Sequence, residues 1–347
     1  MVRLTDIGEK AFLSSLLPQL AVDPSFVNGF GHDASIIDVG LAQNLAVKID
    51  RAPYPVALRH GLGTYNTWGR LAVVANVSDL LAVGALPKAM MLSMVLPREF
   101  SAVDARAIVE GCAEACIDHG IAFLGGDTKE GSSAQIVGAA WGIVEKQRRL
   151  GRAKAGLGDA LFVAGSLGGF AAALTLMRKQ QGHGAGNDRF TQVLTLPTAR
   201  IKEGELLRKD EAIVAACDLS DGLAEAIDIF CGVDIGITLN EARLPLHALV
   251  AEAASVTGAP GWRFALAAGD WAVAFVVNKS QVSSFQAAIE NKFDVHQLGS
   301  FDDSGSKRIR DSNGVLHPIP HFINEQFKSR IEDEGIYLEL LLGKALD

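Results

Sequence analysis

The segment from Arg70 to Val83 constrains the fold more than any other part of this sequence. It is apolar on almost every side of a helix, which is typical of a helix buried inside a protein. Asn76 and Asp79 interrupt it, and because they are three residues apart they lie on one face. An unpaired buried carboxylate is costly or takes up a proton, so Asp79 requires a cation or hydrogen-bond donors. For this helix alone, a structural network and a functional site are equally good interpretations.

Composition excludes several classes of protein. The chain has 347 residues, of which 49% are hydrophobic and 21% charged, as is ordinary for a globular protein of two domains. A net charge of −8 without a long basic run argues against a nucleic-acid partner. The apolar stretches are shorter than the roughly 20 residues of a membrane helix, and the amino terminus lacks the pattern of a secretion signal. We therefore expect a cytoplasmic protein with no membrane partner and with buried thiols rather than a zinc site at its four cysteines.

Helices and strands alternate along the whole chain. We predict strands at 45–50, 88–96 and 134–144, with helices at 65–85 and 102–119 between them. Further strands and helices follow the basic segment 145–158. The pattern predicts an α/β or α+β fold with an N-terminal domain of residues 1–150 and a C-terminal domain of residues 151–347.

Other acidic residues recur at the ends of apolar runs. They are Asp33, Asp50, Asp127, and the pair Asp218 and Asp221. Each one alone has an ordinary explanation, because Asp caps helices and forms turns. Their recurrence where predicted strands end favours a shared site in a crevice.

A shared site of carboxylates has a chemical consequence. Converging carboxylates repel one another unless cations lie between them. Mg²⁺ suits an all-oxygen set that is completed by water and phosphate oxygens, and phosphoryl transfer depends on this kind of charge neutralisation. The sequence has no Walker loop, since its only Gly-Lys pair, Gly343-Lys344, is followed by Ala345 and lacks the upstream glycine. A kinase built on this chain must therefore rely on metal ions.

These segments, in this order, resemble the thiamine-monophosphate kinase branch of the superfamily that also holds aminoimidazole ribonucleotide synthetase. The resemblance covers about residues 6–322. The matching motifs are Gly31-His32-Asp33-Ala34, Asn76-Val77-Ser78-Asp79, Gly125-Gly126-Asp127-Thr128, Asp218-Leu219-Ser220-Asp221-Gly222-Leu223, Gly151-Arg152-Ala153 and Leu196-Pro197-Thr198-Ala199-Arg200.

The resemblance implies a homodimer in which the N-domains pair their sheets, and a C-domain with a mixed sheet and helices. It also implies that ATP and several Mg²⁺ ions lie between the two domains, and that the phosphoryl group passes directly to a small-molecule acceptor. The implied metal ligands, of which the first five would form the catalytic set, are Asp33, Asp50, Asp79, Asp127, Asp218 and Asp221. The implied nucleotide contacts are Gly126, Asp127, Arg152 and Ser220.

The chain departs from the family pattern before Asp50, where Lys48 and Ile49 replace a pair of hydroxyl residues. Side chains at positions 48 and 50 of a strand point to the same side. We expect the Lys48 ammonium to belong to the nucleotide site and to replace one metal ion beside Asp50. The alternative is a lysine that points into solvent at a strand edge.

The acceptor pocket also departs from the pattern. Gly269 stands where the family has the glutamate that faces thiamine phosphate, and Ile319 stands where it has an aromatic residue. Asp270 and Trp271 are expected to line this pocket, although a plain core strand over 271–275 explains them equally well. Without the charge and the stacking partner, we expect an acceptor other than thiamine phosphate. The segment 336–342 resembles an added amphipathic helix that covers the site or the dimer seam.

Two alternatives to a kinase remain open in the sequence. One is another ATP-using reaction of the superfamily, in which phosphate activates an oxygen for ring closure or dehydration. The other is a catalytically silent nucleotide-binding or regulatory protein. Retention of five aspartates argues against the second, since a silent protein has no need for so costly a cluster.

Overall fold

Two mixed β-sheets organise the chain. The computed structural model describes residues 2–148, 150–179, 188–321, 326–327 and 333–344. The first sheet has the strand order β1-β2-β5-β3-β4. Its strands are β1 (Ser35–Ile37), β2 (Gln43–Ala52), β3 (Leu86–Leu96), β4 (Ala122–Glu130) and β5 (Gln135–Glu145). All of its pairings are antiparallel except that of β3 with β4.

The described residues of the first half form four α-helices. They are α1 (Leu4–Leu16), α2 (Val56–Arg59), α3 (Asn66–Ala82) and α4 (Ala102–Asp118). Of these, α3 and α4 pack against this sheet. Nearly all of α3 is buried, as its apolar composition predicts. Glycines permit this close packing, because a Cβ at Gly69 would lie 1.9 Å from the carbonyl oxygen of Ile108 on α4. A Cβ at Gly138 on β5 would lie 2.3 Å from the amide nitrogen of Asn76.

The opposite face of the first sheet is not covered by the described residues. Ile49 is 70% exposed on β2, and Leu124 is 54% exposed on β4. Val47 and Met91 are also exposed, although both are apolar. An apolar sheet face of this kind is typical of a surface that another protein covers.

The second sheet has the strand order β12-β11-β8-β10-β6-β9-β7. Its strands are β6 (Ala160–Ala164), β7 (Ile213–Asp218), β8 (Gly236–Asn240), β9 (Val273–Val277), β10 (Val295–Asp302), β11 (Lys307–Arg310) and β12 (Leu316–Pro318). The helices of this half are α5 (Gly169–Lys179), α6 (Asp188–Thr195), α7 (Ile201–Lys209), α8 (Leu223–Cys231), α9 (Leu249–Thr257), α10 (Gly261–Phe264), α11 (Val282–Ile289) and α12 (Glu334–Leu342). Strands β6 and β9 are buried along their whole length, which explains why they read as continuous apolar runs.

The two halves pack against each other. Ala199, Ile201 and Trp271 follow residue 150 in the chain, yet they contact the apolar core of the first half. The predicted boundary after residue 150 falls between β5 and β6. The described helices include none that is both long enough and apolar enough to cross a bilayer.

Candidate functional site

A cavity of about 970 Å³ lies between the two halves of the molecule. Strand β2 and helix α3 line it from the first half. The turn after β7, the start of α8, the segment before β9 and helix α12 line it from the second half. Asp50, Asp79, Asp218 and Asp221 all face this cavity, as the sequence predicts.

Lys48 lies among the aspartates rather than in solvent. Its Nζ atom is 2.8 Å from Oδ2 of Asp79 and 3.8 Å from Oδ2 of Asp50. Lys48 and Asp50 lie on the side of β2 that faces α3, since they are two residues apart on the strand. Although burial opposes it, the carboxylates of Asp79 and Asp50 raise the pKa of Lys48 above its ordinary value. Lys48 is therefore a cation at the pH of a cell.

Asn76 does not share the role of Asp79. Its amide nitrogen donates to the carbonyl oxygen of Ala72 in the same helix, at 2.9 Å. Asp79 lines the cavity, whereas Asn76 is not among the described residues that line it. Asn76 thus contributes to helix packing, whereas Asp79 belongs to the site.

Asp33 is held by Arg152 across the two halves. The Nε and Nη2 atoms of Arg152 lie 2.7 Å and 2.6 Å from Oδ1 of Asp33, whose side chain is fully buried. The backbone N–H of Arg152 donates to Nδ1 of His32, at 3.1 Å. These contacts fix Arg152 against the turn before β1, and they bring its guanidinium to the cavity wall.

The carboxylate of Asp218 is buried without a hydrogen-bond partner on either oxygen among the described residues, and Oδ2 of Asp33 is likewise unpartnered. Ligand atoms of Asp33, Asp218 and Cys217 all lie within 4.8 Å of one another. Burial, together with the nearby charge of Asp33, raises the pKa of Asp218 to about 7. Buried carboxylate oxygens that lack donors require a proton or a cation.

The pKa values of the neighbouring acids follow the same physics. Burial raises the pKa of Asp33 even though Arg152 opposes the shift. Burial and the charge of Asp218 raise the pKa of Asp79 well above its ordinary range, against the effect of Lys48. Unpartnered oxygen donors of this type fit a hard divalent cation such as Mg²⁺. Asp33 and Asp218 are the residues best placed to hold one.

Two of the sequence-predicted site residues lie elsewhere. Asp127 is paired with Ser93 across β3 and β4, and Ser93 is paired with Val137 of β5. Cross-strand partners share a face, so Asp127 lies on the uncovered face, opposite to Asp50. Its side chain is 63% exposed. Neither Asp127 nor Gly126 is among the described residues that line the cavity, so their part in metal and nucleotide binding stays a prediction.

Gly126 has a structural explanation instead. A Cβ at this position would lie 1.6 Å from the carbonyl oxygen of Leu92. Glycine is therefore needed where β4 approaches β3 next to the irregularity in their register.

The far end of the cavity was expected to bind the acceptor. Gly269 and Trp271 line it. Asp270 does not, because its oxygens accept the backbone N–H groups of Gly168 and Phe170, at 2.5 Å and 2.9 Å. Asp270 therefore fixes the turn that begins α5. The position of Ile319 is also not the one expected, since it packs against the apolar core of the second half.

Helix α12 adds residues that the substrate assignment missed. Glu334 and Tyr337 line the cavity. Glu334 pairs with Arg59 at 2.9 Å and with His60 at 2.7 Å. The hydroxyl oxygen of Tyr337 accepts the N–H of Ala268, at 2.9 Å. Helix α12, predicted at 336–342, thus lines the cavity, and Leu338, Leu341 and Leu342 are buried in the core of the second half.

Comparisons with known proteins agree with this architecture. The family profile of the AIR synthase related protein N-terminal domain matches residues 31–144, and that of the C-terminal domain matches residues 156–312. The chain belongs to this family. Thiamine-monophosphate kinase of Haemophilus influenzae is 31% identical over 271 residues, which cover 75% of this chain and 78% of the relative.

Solved structures extend the likeness across the AIR synthase related fold. Thiamine-monophosphate kinase from Stenotrophomonas maltophilia K279a is 26% identical, with a TM-score of 0.67 over 82% of this chain and 91% of the other. AaThiL complexed with AMPPCP and TMP has a TM-score of 0.76 at 22% identity, over 94% of this chain and 99% of that one. The mixed two-sheet fold and the resemblance to thiamine-monophosphate kinases that the sequence indicated are confirmed.

Proposed function

We propose that this protein is an ATP- and Mg²⁺-dependent kinase of the thiamine-monophosphate kinase type. The single observation that carries the proposal is the buried, unpartnered carboxylate of Asp218 beside Asp33 in a cavity between the two halves. A protein that had only to stay folded would gain nothing from it, because unpartnered buried carboxylates destabilise the folded state. Relatives of this chain are named as kinases, and a ThiL protein of the same fold holds AMPPCP, an analogue of ATP.

Each residue of the site has a role in this proposal. Asp33 and Asp218 would hold the divalent cations, with Asp221 at the more open side of the cavity. Asp50 and Asp79 lie beside the Lys48 ammonium group. When bound, Mg²⁺ neutralises the charge of the triphosphate and of the group in transfer. Arg152 and Ser220 face the same cavity, and they would contact the nucleotide. Because Asp33 fixes the Arg152 side chain, its guanidinium group is already oriented before the nucleotide binds.

The phosphoryl group passes directly from ATP to the acceptor. A phosphorylated intermediate on sulfur would need an activated thiolate. Cys217 is the nearest thiol, but burial raises its pKa well above the ordinary value, so it stays a neutral thiol. The residues of the site therefore position the two substrates and balance charge, which is the usual protein contribution to phosphoryl transfer.

The proposal also concerns the identity of the acceptor. The expectation of an acceptor other than thiamine phosphate is not supported, since the relatives compared above are thiamine-monophosphate kinases. The cavity also contains a carboxylate and an aromatic ring from α12, Glu334 and Tyr337, which offset the changes at Gly269 and Ile319. We therefore infer a phosphate monoester as acceptor, with thiamine monophosphate as the first candidate.

We also infer a homodimer that buries the uncovered face of the first sheet. Ile49, Val47, Met91 and Leu124 expose apolar surface there, and a second copy of the chain is the simplest complementary partner. Asp127 lies on the same face, so in a dimer it would be close to the partner chain. The dimer would then give a role to the motif that contains Asp127, which has none within a single chain.

The cytoplasm is the compartment that we infer. All four cysteines are buried free thiols, which agrees with a reducing environment.

Product analysis by ³¹P NMR tests the proposed function. With ATP, Mg²⁺ and thiamine monophosphate, we expect ADP and a diphosphate ester in equal amounts. Release of inorganic phosphate with a changed carbon skeleton would identify instead a reaction of the ring-closing or dehydrating class. Unchanged ATP with every phosphate monoester tested would support a silent nucleotide-binding protein. A matched Asp218→Asn sample controls for contaminating ATPases.

A further inference from the structure

Lys48 occupies space that a divalent cation would otherwise use. Its ammonium nitrogen is 2.8 Å from Oδ2 of Asp79, and Asp50 approaches it from the other side at 3.8 Å. The Lys48 side chain is 23% exposed and that of Asp79 only 7%. The pair is thus enclosed, and solvent screens it weakly.

A second cation does not fit beside this ammonium group. Mg²⁺ binds a carboxylate oxygen at about 2.0–2.1 Å, so an ion on Oδ2 of Asp79 would lie against Nζ of Lys48. Two like charges at such a distance in a poorly hydrated site repel each other strongly. Either Lys48 or a divalent ion can neutralise this oxygen, but not both.

The other side of the cluster is open. Both oxygens of Asp218 and Oδ2 of Asp33 have no partner among the described residues, and both side chains are more than nine-tenths buried. Arg152 approaches only Oδ1 of Asp33. The acidic cluster therefore has one side that a lysine neutralises and one side where oxygen donors still lack a cation.

We propose that Lys48 is a resident monovalent cation that takes the place of one divalent ion at the Asp50–Asp79 side, and that the divalent ions of this protein bind at the Asp33–Asp218 side. The inference rests on the proposed function in one respect, namely that the cluster serves a metal-bound nucleotide. It makes Lys48 a positioning residue of the site. The chain would then need one divalent cation fewer than the same cluster without the lysine.

Counting bound Mn²⁺ tests this directly. Free Mn²⁺ is measured by electron paramagnetic resonance in a titration of the full-length chain, and the plateau gives the number of ions bound per chain. We expect Lys48→Ser to bind one more ion than the unaltered protein. Lys48→Arg, which keeps the charge, should bind the same number. Lys146→Ser is the matched control, because Lys146 pairs with Asp38 at the same distance of 2.8 Å, outside the cavity.

Two further variants test the inference even if Lys48→Ser does not fold. Asp79→Asn should leave the number of bound Mn²⁺ ions unchanged, since Lys48 already neutralises Asp79. Asp218→Asn should lower it by one. Equal counts in the unaltered protein and Lys48→Ser, or a loss of one ion in Asp79→Asn, would overturn the inference.

Nucleotide binding in the same samples separates this inference from the proposed function. Calorimetry with AMPPCP reports whether the cavity takes up nucleotide at all. If AMPPCP binds and the counts do not differ as stated, only the role of Lys48 is wrong. If AMPPCP does not bind to any sample, the proposed function is wrong whatever the counts.

Discussion

Arg152 holds Asp33 through two nitrogens on a single oxygen, with Nε at 2.7 Å and Nη2 at 2.6 Å from Oδ1. The contact joins the segment between the two sheets to the turn before β1. It also leaves the second oxygen of Asp33 directed at the site without a donor among the described residues. One residue pair therefore links the stability of the molecule to the electrostatics of its cavity.

Removing the guanidinium should be costly. We expect Arg152→Leu to lower the free energy of unfolding by about 3–5 kcal/mol, because it leaves a buried carboxylate uncompensated. Denaturant unfolding at pH 8 measures the change. Lys146→Leu breaks an ion pair whose two side chains are each 40% exposed, so it should cost less than about 1 kcal/mol. Equal losses of unfolding free energy in the two variants would show that the buried Asp33–Arg152 pair stabilises the protein no more than an exposed pair does.

Asp218→Asn should stabilise the metal-free protein at pH 8 and lower by one the number of divalent cations that it binds. Burial and Asp33 raise the pKa of Asp218 to about 7, above its value of roughly 3.9 in an unfolded chain. The folded state thus binds more protons between these values, and the stability of the unaltered protein falls as the pH rises from about 4 to 7. Melting temperatures in EDTA across this range check the sign. A variant that melts lower than the parent at pH 8 would contradict it.

The affinity for divalent cations should rise with pH, whereas the stability of the metal-free protein falls. The ionised carboxylate is the ligand, so a proton on Asp218 competes with the metal. We expect the affinity for Mn²⁺ to rise by up to about tenfold per pH unit below pH 7 and to level off above it. Titrations at pH 5.5, 6.5, 7.5 and 8.5 measure this. A flat profile would mean that Asp218 is ionised throughout or is not a ligand.

Glu334→Gln should weaken the binding of the acceptor and leave the binding of the nucleotide largely unchanged. The substitution breaks the pairs of Glu334 with Arg59 and His60, which tie α12 to the first half. We expect the KM for the acceptor to rise about tenfold, as a change of roughly 1.4 kcal/mol would give, with little change in AMPPCP binding. Glu252→Gln removes a similar pair with Arg189 outside the cavity and serves as control. If both variants behave like the parent, α12 does not take part in acceptor binding.

Ile49→Asp should separate the proposed dimer into monomers. Ile49 is 70% exposed on the uncovered face of the first sheet, and a charge buried in an apolar interface disfavours association. Light scattering coupled to gel filtration gives the mass. Ile117→Asp places the same charge at a residue that is 78% exposed on α4, and it should leave the mass unchanged. A parent protein that is already monomeric would overturn this part of the proposal.

The sequence anticipated much of the fold because burial leaves a clear pattern. Helix α3 and the fully buried strands read as apolar runs. Of the recurring aspartates, Asp50, Asp79 and Asp218 line one cavity, and Asp33 lies next to Asp218. Strand β4 was missed as a strand, since it lies at the sheet edge with mostly exposed residues. Such a segment lacks the alternation that a half-buried strand shows.

Two differences between the expected and the observed site have physical reasons. Motif order along the chain does not say which face of a sheet a residue occupies, and Asp127 lies on the face of the first sheet that is turned away from the cavity. Asp270 sits beside residues that line the cavity, but its carboxylate is used by two backbone N–H groups that only the folded chain brings near. The role of Glu334 was likewise invisible, because its partners Arg59 and His60 lie 275 and 274 residues away.

Binding of AMPPCP with and without Mg²⁺ tests the central claim most directly. Isothermal titration calorimetry of the full-length chain should give one bound nucleotide per chain with Mg²⁺, and an affinity at least 100-fold lower in EDTA or in Asp218→Asn. Equal binding in all three samples, or no binding with Mg²⁺, would contradict the account of an acidic cavity that takes up a metal-bound triphosphate.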